Sequence, residues 1–193
     1  MSLVTSLLEG LERPRARRFS YKEYRRLVDE GFFEADHVEL IDGEVLTTPA
    51  MSGPHNMAVL LGRQVLEAAF GAGYVVRPQM PIDLEMSDSS PEPDLAVVRG
   101  SPREYLSPPK RVLLLVEVAV TSLDYDLGAK AALYATGGVE DYWVVDVVGR
   151  RVVVHRGPQA ARGAFATVEV FSRLDQVQPL HEAAAVLVAD LLP

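Results

Sequence analysis

Cysteine is absent from this 193-residue chain, which removes disulfides, thiolate zinc sites and cysteine nucleophiles together and fits a reducing compartment. No apolar run reaches the roughly 18 residues that a membrane span needs, and the N-terminal MSLVTSLLEGLERPRARR lacks a basic stretch followed by a long apolar one. A cytoplasmic protein without membrane contact is expected. Glycine-rich phosphate loops, a nucleophile-elbow serine and zinc-finger spacing are missing as well. Lysine is scarce: Lys22, Lys110 and Lys130 are the only lysines among 19 Lys and Arg residues. The net charge of −8 argues against an electrostatic grip on nucleic acid by the whole surface, because phosphate neutralisation needs clustered cations.

What is present suits one core. With 48% hydrophobic and 24% charged residues the chain can bury a single sizeable interior. We expect one domain over residues 19–193 behind a basic arm of residues 1–18. Arg13, Arg15, Arg17, Arg18, Lys22, Arg25 and Arg26 crowd the N-terminal stretch, which reads equally as a solvated helix face with a flexible arm and as a phosphate-contacting patch.

Helix-like and strand-like segments alternate. Ser20 and Glu23 form a capping box, so a helix is expected from Tyr21 to about Glu30. Val38 to Leu46 reads as a hairpin turning at Asp42-Gly43, a pair suited to a type I′ connection. Apolar residues from Met57 to Ala69 recur at helical spacing, and Gly71 stops them. Strands are expected at Tyr74–Arg77, Ile82–Leu84, Asp94–Val98, Val112–Val120, Val139–Val145, Arg151–Arg156 and Phe165–Phe171. Helices are expected at Asp124–Thr136 and Glu182–Leu192, with a loop between Gly100 and Pro109. Val112–Val120 lacks alternation and should lie mid-sheet, covered on both faces.

Three carboxylates sit inside these apolar runs: Glu39 in HVELIDGEV, Asp94 in PEPDLAVV and Glu117 in RVLLLVEVAV. An ionised side chain there is expensive unless a cation meets it. If the Asp94 and Glu117 strands are neighbours, the two converge on one face and form an oxygen-rich pocket for Mg²⁺ or Mn²⁺. Most acidic residues on strands are structural, but Glu117 lies between Val116 and Val118 in the most apolar run of the chain. Lys130 could face Glu117 from the next helix, or it could pair on the surface with Asp126, four residues earlier. Asp124 and Asp126 are explained by a helix N-terminus. Tyr134, Tyr142 and Trp143 read as core, Asp146 as a turn cap, and His37, His155 and His181 as surface or packing residues.

The order Glu39, Asp94, Glu117, Lys130, with PEPDLAVV and LLVEVAVTSLDYDLGAKAALYATGGVEDYWVVD, resembles the Uma-two family of restriction-endonuclease-like proteins within the PD-(D/E)XK nuclease superfamily. The resemblance covers about Phe19 to Arg156. It implies an α/β (mixed α+β) fold, a central mixed sheet flanked by helices. It implies Asp94 and Glu117 as Mg²⁺ ligands, helped by the Val118 carbonyl and completed by Glu39, and a DNA phosphodiester as substrate. His55 matches a histidine common in that family and could touch substrate phosphate or serve only as a cap. The sequence departs where the ExK lysine belongs, since Ala119 stands there, and Lys130 looks like its migrated replacement. A Mg²⁺-dependent endonuclease is therefore expected, acting as a homodimer because two-fold symmetry matches duplex DNA. A catalytically weak relative that binds nucleic acid or a partner protein is the alternative, and a non-nuclease hydrolase using the same carboxylates stays open.

Overall fold

The computed structural model describes residues 16–34, 37–47, 51–86, 88–181 and 183–193; Arg13 and Arg15 lie outside them. Helix α1 (Tyr21–Asp29) starts as the sequence requires, with the Ser20 hydroxyl accepting from the Glu23 amide and the Glu23 carboxylate accepting from the Ser20 amide. Arginines in and before it face local acids: Arg17 meets Glu23, Arg25 lies 2.9 Å from Asp29, and Arg26 3.0 Å from Glu30. Arg18 reaches across to Asp42, at 2.6 Å, and Glu44.

The hairpin follows as β1 (Val38–Ile41) and β2 (Glu44–Thr47). Ile41 pairs with Glu44, leaving a two-residue turn in which Asp42 and Gly43 have φ of 50° and 75°, both positive as a type I′ turn demands. Helix α2 (Gly53–Phe70) is capped by Ser52 and ends at Gly71. Then come β3 (Tyr74–Pro78), β4 (Leu95–Arg99) and β5 (Leu114–Ala119). One helical segment, α3, starts at Leu123–Tyr125, widens into a π turn at Asp126–Lys130 and returns to α-helix at Ala131–Thr136. Strands β6 (Asp141–Asp146), β7 (Arg151–Gln159) and β8 (Ala164–Ser172) complete a six-stranded sheet in the order β3-β4-β5-β6-β7-β8.

Only the β5–β6 pair in that sheet is parallel, as expected for strands joined by a helical crossover. Helix α2 covers one face, burying Ala58, Val59, Leu66 and Phe70 against Leu95, Val97, Leu114 and Val116. The approach is close: a Cβ on Gly62 would stand 2.9 Å from Leu95 Cδ1. Segment α3 covers the other face with Ala131, Leu133 and Tyr134 against Leu115, Ala119, Tyr142 and Val144. All six residues of β5 are buried.

Two expected elements are absent. Ile82–Leu84 is not a strand; Ile82 is buried, but its amide donates to Pro91 O and that of Asp83 to Pro109 O, so loop carbonyls replace a ladder. The expected terminal helix is also missing. Glu182 lies outside the described residues; beyond it Val186–Leu187 forms β10, paired with β9 (Gln176–Val177), and Val188–Leu191 is a single 3₁₀ turn.

Candidate active site

Register brings the two strand acids together. Leu95 on β4 pairs antiparallel with Val116 on β5, so Asp94, one residue before β4, comes level with Glu117. Asp94 Oδ2 accepts the Val118 amide at 2.8 Å, and Glu117 Oε2 accepts the Asp94 amide at 3.3 Å. Alternation along β5 puts Glu117 with Leu115 and Ala119 on the face covered by α3.

Lys130 comes from that segment. Its Nζ lies 3.0 Å from Glu117 Oε1 and 3.4 Å from Glu39 Oε1. Asp126, its alternative partner from spacing alone, accepts the Ser122 hydroxyl at 2.6 Å instead, and its carbonyl accepts from Tyr142 at 2.8 Å. Tyr134, one helical turn after Lys130, donates its hydroxyl to Glu117 Oε1 at 2.6 Å. Glu39 is delivered by the docking of the hairpin. The Ser90 amide donates to Leu40 O at 2.7 Å and the Asp42 amide to Ser89 Oγ at 2.9 Å, and the Glu92 amide then lies 3.4 Å from Glu39 Oε2. His55 occupies the first turn of α2, where its Nε2 lies 3.1 Å from Asp94 Oδ2 and its Nδ1 is buried without a partner among the described residues.

Three buried acids act on one lysine here. Glu39, Glu117 and Asp126 are each 3% exposed and Lys130 6%. Burial drives the Glu117 carboxyl up to about 8, with Asp94 and Asp126 adding to the rise and Lys130 opposing it. Asp126 is pushed up to about 6, again chiefly by burial. For Lys130 burial works downward, but the Glu117 and Glu39 carboxylates outweigh it and hold its pKa above the ordinary value. The hydrogen bond to Asp94 raises the His55 pKa. The pocket thus holds more carboxyl groups than Lys130 can pair with.

That imbalance suits a hard divalent cation. Among the described residues no three His, Cys, Asp or Glu side chains are grouped to hold an ion together, so the expected three-acid shell is not assembled. Glu39 sits against Lys130 instead. Asp94 and Glu117 remain as adjoining carboxylates, and Mg²⁺ characteristically takes one or two carboxylates and completes its shell with water and substrate phosphate. The residues therefore fit the ion as a two-acid site.

Spacing could have revealed Tyr134, which lies four residues after Lys130 and so shares its helix face. Ser122 and the buried state of Asp126 carry no such signal, because a first-turn Asp is favourable on any exposed helix. Tyr142 and Trp143 are fully buried, and Asp146 caps the turn by accepting the Gly149 amide at 2.7 Å. His155 packs against the Tyr142 and Phe165 rings.

No curated protein matches the chain. A solved structure described as "a putative nuclease belonging to DUF820" from Anabaena variabilis ATCC 29413 is similar, with a TM-score of 0.71 at 18% identity over 90% of this chain and 97% of that one. At that identity the likeness shows a shared fold. No helix among the described residues is long and apolar enough to cross a membrane. Residues 21–189 match the family model described as "Putative restriction endonuclease", and the chain accordingly belongs to this restriction-endonuclease-like nuclease family, Uma2.

Proposed function

We propose that the chain is a Mg²⁺- or Mn²⁺-dependent endonuclease that hydrolyses DNA phosphodiester bonds. The observation that carries this reading is the buried excess of carboxylate around Asp94 and Glu117 with one lysine set against it. Asp94 and Glu117 would hold the ion, with the Val118 carbonyl as a backbone donor. When bound, the ion supplies charge neutralisation at a phosphoryl oxygen and a lowered pKa for coordinated water.

The remaining work falls to the chain's own groups. Lys130 Nζ, 3.0 Å from Glu117 Oε1, would orient the attacking water and meet negative charge building on the phosphate. Glu39 acts by holding Lys130 in position. Tyr134 fixes the Glu117 carboxylate, and His55 fixes Asp94 while presenting its ring near the substrate phosphate. Two copies of the chain would place one such site on each strand of a duplex.

The test is thermal. Mg²⁺ or Mn²⁺ should raise the melting temperature of the wild-type chain and support nicking of supercoiled plasmid, and Asp94→Asn should abolish both effects. A metal-induced shift that survives in Asp94→Asn would place the ion elsewhere. A shift without nicking would favour the alternative of a nuclease-fold protein that binds nucleic acid or a protein partner without cutting.

A further inference from the structure

The tyrosine hydroxyls packed around the sheet differ in one respect. Those of Tyr24, Tyr134 and Tyr142 donate to Val38 O at 2.9 Å, Glu117 Oε1 at 2.6 Å and Asp126 O at 2.8 Å. The Tyr125 hydroxyl is buried too, yet has no hydrogen-bond partner among the described residues. A buried donor left unpaired destabilises the fold, so each case calls for a reason. Tyr125 ends the first turn of α3, directly after the strand that carries Glu117, and its ring centroid lies 6.0 Å from Lys130 Nζ.

The charges that act on its phenol are those of the site: Glu39 first, then Lys130, Asp126 and Glu117. The nearby acceptors are engaged elsewhere. Glu117 Oε1 takes Lys130 and Tyr134, Glu39 Oε1 takes Lys130, and Asp126 takes Ser122. The hydroxyl is thus a donor unpaired among the described residues, on a ring that lies against the lysine set to meet phosphate.

We propose that the Tyr125 hydroxyl is a further catalytic residue, donating a hydrogen bond to a non-bridging oxygen of the phosphate held against Lys130. This rests on the nuclease reading above and adds a contact to it. An anion is the ligand that fits, because Lys130 supplies a positive charge and Tyr125 a hydroxyl that can donate. Tyr125 acts as a donor: burial pushes its pKa up to about 12, so the phenol keeps its proton.

Tyr125→Phe removes the hydroxyl and keeps the ring, and three measurements on the full chain decide the matter. The melting temperature of the metal-free protein should stay level or rise, since the deleted hydroxyl bonds none of the described residues. Affinity for a fluorescent DNA duplex, read by anisotropy in the non-cutting Asp94→Asn background with Mg²⁺ present, should weaken about tenfold when Tyr125→Phe is added. Single-turnover cleavage by Tyr125→Phe alone should slow by at least that factor.

A lowered melting temperature with unchanged affinity and cleavage would overturn the proposal and make the hydroxyl structural. Unchanged values in all three measurements would overturn it equally. A wild-type chain that neither binds nor cuts DNA would overturn the nuclease reading and this contact with it. Wild-type cutting beside an unaffected Tyr125→Phe would sink the tyrosine alone.

Discussion

The metal-free protein should become less stable as the pH rises from 6 to 8, and Glu117→Gln should remove most of that dependence. Glu117 is an acid whose folded-state pKa is raised from 4.5 to about 8. Between those values the folded chain holds a proton that the unfolded chain has released, so stability present at low pH is lost as pH climbs toward the folded value. Each pH unit within the window is worth roughly 1.4 kcal/mol for one group. With rounding near the folded pKa, the step from pH 6 to 8 comes to about 2 kcal/mol, or roughly 4–8 °C in melting temperature for a chain of this length. Asp126, raised to about 6, acts with the same sign but below this interval. His55, a base with a raised pKa, also favours the folded state at lower pH, and His55→Gln separates its share. Glutamine keeps the shape of Glu117 and cannot ionise, so the variant should show only the residual His55 slope while losing cleavage. Added Mg²⁺ should reverse the trend in the wild type, stabilising more at pH 8 than at pH 6, because ion and proton compete for the same oxygens. Scanning calorimetry in EDTA and in Mg²⁺ at five pH values reads all of this. A wild-type melting temperature that is flat or rising over pH 6–8 without metal would refute the reasoning, as would an equal slope in Glu117→Gln.

Lys130→Met should cut single-turnover cleavage by about 10²-fold or more with metal affinity nearly unchanged, the scale of losing one transition-state donor; wild-type rates would leave the site without its cation. Tyr134→Phe should lower the melting temperature, because it strips a 2.6 Å hydrogen bond from buried Glu117 at a loss of about 1–3 kcal/mol; an unchanged value would show that the Glu117 carboxyl is held without it. Arg25→Ala and Arg26→Ala should each change stability by at most about 0.5 kcal/mol, and should leave the salt dependence of DNA binding unaltered, since both guanidiniums already face a carboxylate one turn away. A flattening of that dependence by about 0.9 per contact would assign them to phosphates.

Much of the fold was legible because local chemistry and tertiary packing agree. Ser20 with Glu23, Asp42 with Gly43, and Gly71 after an apolar stripe each specify a backbone event that the structure contains. The failures arise where packing overrides local preference. Ile82 and Leu84 alternate as a strand would, but Pro81 and Pro91 bracket a segment whose amides meet loop carbonyls, and Ile82 is buried by the α3-side core without a ladder. Residues 182–192 are rich in alanine and read as helix. There the Ala184 amide instead donates to Ala69 O of α2, and Val186 and Leu187 pair with β9, so docking against α2 outweighs a propensity of a few tenths of a kcal/mol per residue.

The site shows the same division between what spacing conveys and what only the fold can arrange. Asp94 and Glu117 were readable together, because an acid opening one apolar run and an acid within the next can come level if the two runs pair as neighbouring strands, and the β4–β5 register brings them level. Spacing alone left the direction of Lys130 open between Glu117 and Asp126. Four residues of separation in a regular helix would set it beside Asp126, whereas a π turn runs over those same residues, Asp126–Lys130, and Lys130 lies against Glu117 and Glu39. A widened turn interrupts the α repeat on which any spacing argument depends, and such turns gather at functional sites because they re-aim side chains that a regular helix would align. With Asp126 satisfied by Ser122 one turn before it, the lysine is released to the sheet. The cation absent from the strand at Ala119 thus reaches Glu117 from the helix that covers it, at the point where that helix departs from regular geometry.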